Sequence, residues 1–375
     1  MCEWKAPLLL GLLLTATPAA AAAEPAFVLL DLPFKVAHMR GPRSEVAVSV
    51  ATSGLLATAG RKSSVPNPAD GDEESAPIVV VWGEGGGAAL ALVDGAIRTT
   101  LIGAEAIEGL SASETPRGAL PGSRRALAGP LSAYLTGATR AAGGLPGAAG
   151  LTIRERRPMA VSTDPKPVPI STITVPAGAE AVFASFRPRA LRLSGRPVFA
   201  AATLNGAAAS GFVLVGRQGE GPEAGWSVVA RTPPQEGTPA RIAGIADFTG
   251  AGAPQVALVK GAAGAGTLQL WSLGTGSPTL SGEAAGYLGG PGDADLAATV
   301  EPERGGLPDL ALPSADGQAL AVVAMKGGLH DRLRVPLPAP AATGVASLGA
   351  GGGARVLVGL ADGRVAVVSL DGAKP

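Results

Sequence analysis

Apolar residues in this chain come in short runs, each stopped by glycine, proline or a cluster of small side chains. The stretch RIAGIADFTGAGAPQVALVKGAAGAGTLQLWSL, residues 241–273, sets the pattern: apolar runs at 242–245, 256–259 and 268–273, separated by a glycine turn and a small-residue loop. Runs this short, rich in β-branched and aliphatic residues, predict antiparallel strands and not helices. The same reading gives strands at FVLLDL (27–32) and EVAVSV (45–50), an exposed loop at 62–77, and three strands across 77–102. Within that last stretch Asp94-Gly95 predicts a tight hairpin, because these residue types tolerate the positive φ angles that such a turn needs. GEGGGA (83–88) has the spacing of a dinucleotide-binding loop, but that chemistry requires a helix next. The residues that follow, ALALVDG, read as strand and hairpin, so a β-turn is expected. Between 101 and 150 the pattern loosens into an insertion, and Leu127, Leu131, Tyr134 and Leu135 predict one short helix starting near Pro130.

From 186 onward the strands fall into register with one another. RPVFAAA (196–202), PQVALVK (254–260), PDLALPS (308–314) and ARVLVGL (354–360) each follow a glycine-containing turn. Each leads to a further strand: FVLVGR, LQLWSL, LAVVAM and VAVVSL. An interval of about fifty residues is that of blade-type repeats, in which no single unit can bury both of its faces. The fold expected is therefore all-β: a β-propeller of about seven four-stranded blades over 24–375, with a short helical or irregular insertion around 101–150. An open array would leave apolar faces uncovered at both ends. The strands at 27–32 or 45–50 are therefore expected to lie beside the last strand and close a ring.

Composition narrows the chemistry. Lysine and arginine total 30 against 30 aspartates and glutamates, which gives no case for a nucleic-acid or acidic-membrane partner. Arg117, Arg124, Arg125, Arg140, Arg154, Arg156 and Arg157 lack interleaved aromatics and read as a solvated edge. There are two histidines, His38 and His330, and one cysteine, Cys2. A Ser-His-Asp triad, a multi-histidine zinc site and a disulfide framework are all disfavoured. The first residues carry one lysine, an apolar run over 6–14 and an alanine tract before Glu24, as in a signal peptide (1–23) cleaved after Ala23. A periplasmic or secreted protein without a transmembrane anchor is expected. Trp82, Trp226 and Trp271 read as fillers between sheets.

At its turns the second half resembles the FG-GAP/VCBS-type β-propeller repeat of secreted bacterial proteins, whose inter-strand turn runs roughly D-x-D-x-D-G-x-x-D/E before an apolar strand. The turn 247–255 keeps the first acid, Asp247, and the glycine, while Thr249, Ala251 and Gln255 stand at acidic positions. The turn 301–309 keeps three acids, Glu301, Glu303 and Asp309; the turn 347–355 keeps none. In intact repeats these acids bind calcium. The resemblance thus implies a weak metal site at Glu301, Glu303 and Asp309, with Asp247 a vestige, calcium contributing little and no other cofactor. It also implies a monomeric, exported, non-catalytic binding or scaffold module for a protein or glycan. The alternatives are an enzyme using carboxylates in the central funnel, as in glycoside hydrolysis, or a structural factor in envelope assembly.

Overall fold

A computed structural model of the chain describes residues 1, 27–56, 76–157, 168–206, 208–219, 224–237, 239–261, 266–274, 276–290 and 292–370. The signal peptide with its cleavage site, and most of the loop expected at 62–77, lie outside the described residues. No described helix is long and apolar enough to cross a membrane.

The chain is mostly strand, arranged as antiparallel sheets. After β1 (Phe27–Leu29), the first sheet holds β2 (His38–Arg40), β3 (Ile78–Gly83), β4 (Gly86–Val93) and β5 (Ala96–Ile102), with α1 (Glu45–Thr52) between β2 and β3 and α2 (Ala104–Ala112) after β5. A ten-stranded sheet follows. It contains β6 (Ala126–Ala128), β7 (Leu131–Arg140), β8 (Pro146–Arg156) and β9 (Ile170–Pro176), then β10 (Ala181–Ala184), then β11 (Arg189–Leu193), β12 (Arg196–Asn205), β13 (Ala209–Gln218) and β14 (Gly225–Arg231), with the short β15 (Gln235–Glu236) on β13. It reads as two meanders, β6–β9 and β11–β14, stitched together by β10, which pairs with both β8 and β12. Two four-stranded sheets come next: β16 (Arg241–Ala246), β17 (Gln255–Lys260), β18 (Thr267–Ser272) and β19 (Thr279–Ala285), then β20 (Ala298–Val300), β21 (Asp309–Pro313), β22 (Ala319–Ala324) and β23 (His330–Pro336). The last sheet holds β24 (Ala341–Leu348), β25 (Arg355–Leu360) and β26 (Val365–Ser369), and its fourth strand is β1, paired to β26 as Phe27↔Val368 and Leu29↔Ala366.

The four segments singled out in the second half are the second strands β12, β17, β21 and β25, and their followers are the third strands β13, β18, β22 and β26. Apolar clusters lie between successive sheets. Phe212 of β13 meets Trp271 of β18 edge-on at 6.0 Å. Leu268 packs with Leu310 and Val323, Val322 with Val356, and Leu357 with Val79. Burying one such side chain stabilises the fold by about 1.5–3 kcal/mol. Trp226 packs on Phe199 within the ten-stranded sheet, and Trp82 stacks on His38.

Two expectations are corrected. Residues 45–50 form helix α1 and not a strand: Ser44 accepts a hydrogen bond from the Ala47 N–H at 3.1 Å, and Val46, Ala47 and Val50 fall on one buried face. Residues after Pro130 form strand β7 and not a helix. The spacing 127, 131, 135 suits both periods, since four residues is an even step along a strand and one turn of a helix. Gly129 at φ +59° with Pro130 turns β6 into β7, after which β7 pairs with β8 from Leu131↔Glu155 to Arg140↔Pro146. The helical part of the insertion is α2, further upstream. The Asp94-Gly95 hairpin forms as expected, with φ +51° and +79° between paired Val93 and Ala96, and Glu84-Gly85 is a two-residue turn between β3 and β4.

Candidate functional site

The first strands of the meanders lie side by side in sequence order: β6 beside β11, then β16, β20, β24 and β2. The connection from β19 to β20, residues 286–297, runs against this row and carries two acids, Asp293 and Asp295, onto the arginines that those strands present. Gly290, at φ +84°, turns the segment so tightly that a Cβ there would meet the Leu296 side chain at 2.8 Å.

Asp295 accepts ion pairs at 3.0 Å from both Arg124, just before β6, and Arg189 of β11, with Arg187 at 3.7 Å. Its backbone carbonyl accepts from the Val345 N–H of β24 at 2.8 Å. Although burial opposes ionisation, these arginines hold its carboxyl far below the usual carboxylate range. Asp293 pairs with Arg40 of β2 at 2.6 Å, and its carbonyl accepts from Arg124 at 2.7 Å. Arg40, itself buried, also pairs with buried Glu114 at 2.9 Å, donates to the Met39 carbonyl, and lies over the Trp82 ring. Arg241 of β16 donates to the Gly292 carbonyl and lies over Phe186 at 4.0 Å; burial pulls its guanidinium down to about 10.

Polar groups also link α1 and the segment before it to the segments leading into β6 and β11. Arg125 pairs with Glu45 at the start of α1 at 2.8 Å, and Arg187 donates to the carbonyls of Arg125 and Arg43. Burial pushes the Glu45 carboxyl up to about 7 despite Arg125. So Arg124 and Arg125 are not part of a solvated edge, whereas Arg117, Arg140, Arg156 and Arg157 are exposed. Burial, with Arg40 next, lowers the pKa of His38.

The turn acids are placed elsewhere. Asp247 closes its own turn, accepting from the Ala251 N–H at 2.9 Å and the Gly252 N–H at 2.8 Å. Gln255 completes that turn: its carbonyl oxygen accepts from Phe248 N–H at 2.7 Å, and its amide donates to the Thr249 hydroxyl. Asp309 is buried and paired to Arg332 at 2.7 Å, burial raising its carboxyl nonetheless. Glu301 is half-buried and Glu303 exposed. Among the described residues no group of three or more His, Cys, Asp or Glu side chains, including Glu301, Glu303 and Asp309, is gathered closely enough to hold a metal ion. The residues that sequence reasoning missed are those of the ion cluster around Asp293 and Asp295. Its one local sign was the GDADL stretch, two acids in a glycine-rich connection.

No protein-family model matches the chain, and the comparison with curated proteins finds no similar sequence.

Proposed function

We propose that the chain is a ring-closed β-propeller that works outside the cytoplasm as a non-catalytic binding or scaffold module for a protein or glycan. We count six four-stranded units in the ring, where the repeat interval suggests about seven, because the connections around α1 and α2 use up length without adding a unit. Two features support closure: the succession of first strands, and the pairing of β1 with β26, which joins the two ends of the chain. The turns of its second half are degenerate members of the FG-GAP/VCBS type, kept for their shape. The chain is exported by the signal sequence ending at Ala23.

The observation that carries the non-catalytic reading is the state of the axial carboxylates. A hydrolase working in the funnel needs one acid free to protonate a leaving group and another free to attack or to activate water. Asp293, Asp295 and Glu114 are each committed to arginine. The outer surface is then the place for a partner. The test is to immobilise the mature protein, cross-link it in periplasmic extract and probe a glycan array, alongside a hydrolysis screen on glycans and esters. Saturable capture of one partner without turnover is expected. Turnover that Asp293→Asn abolishes would replace this reading with the enzymatic one.

A further inference from the structure

The axial cluster carries more positive than negative charge. Leaving aside Arg187, which also donates to the Arg125 and Arg43 carbonyls, Arg40, Arg124, Arg189 and Arg241 converge on a set of three acids, Glu114, Asp293 and Asp295, an excess of one cation among the described residues. The neighbouring pair Arg125–Glu45 leaves that excess unchanged when Glu45 is ionised and enlarges it when it is not. Guanidinium groups do not shed their protons near neutrality, even one drawn down to about 10 as at Arg241. Charge left unbalanced away from water is costly, so a negative charge supplied from outside the chain would be stabilised here.

There is space and there are donors for it. A cavity of about 30 Å³ is lined by Arg124, Arg187, Arg189 and Arg241 together with the 292–297 segment. A volume of this size admits a water or a small ion, since about one probe sphere of ~10–15 Å³ suffices for a water. Arg124 is 4% exposed, and two of its nitrogens, Nε and Nη1, have no hydrogen-bond partner in the protein. Its third nitrogen, Nη2, is the one held by Asp293 and Asp295. The Arg241–Gly292 contact is open to solvent and gives the cavity a mouth. A water would satisfy the donors but leave the charge excess in place, whereas an anion does both.

We infer that this cavity is a binding site for a small inorganic anion, of halide to oxyanion size, held by Arg124 and Arg241 at the centre of the protein. The site neutralises the axis and couples the first strands to anion concentration. It does not depend on what the outer surface binds.

The test uses the full mature chain at constant ionic strength, with sodium gluconate exchanged stepwise for sodium chloride, sodium phosphate or sodium acetate. A ligand that binds only the native state raises the thermal midpoint with the logarithm of its concentration. A rise with chloride or phosphate that exceeds the gluconate baseline and saturates as a single site in calorimetry is expected. Arg241→Gln, at the mouth, should weaken that affinity about tenfold or more, the worth of one charge-assisted hydrogen bond. Arg124→Met should abolish it. If Arg124→Met does not fold, Arg241→Gln and anomalous diffraction from bromide-soaked crystals decide: bromide beside Arg124 supports the site, and no bromide there overturns it. Equal midpoints in all salts, or a saturable rise unchanged in Arg241→Gln, also overturn it. A rise with acetate and neither inorganic anion would make the site a carboxylate pocket and overturn the assignment as stated.

Discussion

Residues 247–255 and 286–297 are both glycine-containing connections that carry aspartate, yet they do opposite work. In the first, Asp247 reaches only four and five residues ahead, and Gly250 and Gly252, at φ +76° and +75°, bend the backbone back to meet it. In the second, Asp295 gathers Arg124, Arg187 and Arg189 from the ten-stranded sheet and the segments that lead into it. One aspartate shapes a turn; the other ties distant parts of the chain together. Local composition decides that both segments turn, but only the tertiary arrangement decides what an acid in the turn is for.

The sharpest way to break the comparison is to remove Asp295. Asp295→Ala leaves Arg124, Arg187 and Arg189 without their shared counter-charge, and loss of one partner from a buried ionic group costs about 3–5 kcal/mol. Urea denaturation should show that loss at pH 7. Because the folded carboxyl lies well below its unfolded value, its stabilisation is present above the unfolded pKa near 3.8 and disappears as pH falls below it. The deficit of Asp295→Ala relative to wild type should therefore shrink in acid. A loss under about 1 kcal/mol at pH 7 would mean that the cluster is bystander charge.

Glu45 gives the opposite sign and a smaller effect. Its carboxyl is raised from 4.5 to about 7, burial and Glu114 outweighing Arg125, Arg156 and Arg187. The native state then holds a proton that the unfolded chain has released, so stability falls as pH rises from about 4.5 to about 7. Glu45→Gln should flatten that part of the profile, removing a slope worth roughly 1–3 kcal/mol across the window. A wild-type profile that is flat or rising over this interval would show that Arg125 wins and that Glu45 is ionised throughout.

The same contrast explains what was legible in the sequence. The strands of the second half were, because β17, β21 and β25 announce themselves by apolar runs a few residues long with glycine on either side, and Asp94-Gly95 declares its own φ angles. Helix α1 was not. EVAVSV is made of strand-preferring residues, and its helical state depends on the Ser44 cap and on the apolar surface of β3 and β4 that Val46 and Val50 cover. Nor was the arginine–aspartate cluster. Arg124 and Arg125 look alike in sequence, and Arg124 is buried only because Asp293 and Asp295, about 170 residues on, are delivered to it. The turn 247–255 was half legible. Its shape followed from Asp247 and Gly250, while Gln255, at a position that is acidic in the family it resembles, works as a neutral clamp on Phe248 and Thr249.

The smallest effect belongs to Asp247. Both of its oxygens are occupied by backbone N–H groups, and the site is exposed, so the carboxylate acts as a cap and its removal should cost about 1 kcal/mol. Calcium would have to compete with those two N–H groups for the same oxygens, and Gln255 offers no charge to help it. Asp247→Ala should accordingly lower stability by the same amount with millimolar calcium or with a chelator, and wild-type protein should have the same thermal midpoint in both. Asp247→Asn, which keeps one acceptor oxygen, should recover about half of the loss. A penalty for Asp247→Ala that appears only with calcium present would show that the turn is a working metal site, and the contrast drawn between Asp247 and Asp295 would then have to be redrawn as one between two kinds of charge partner.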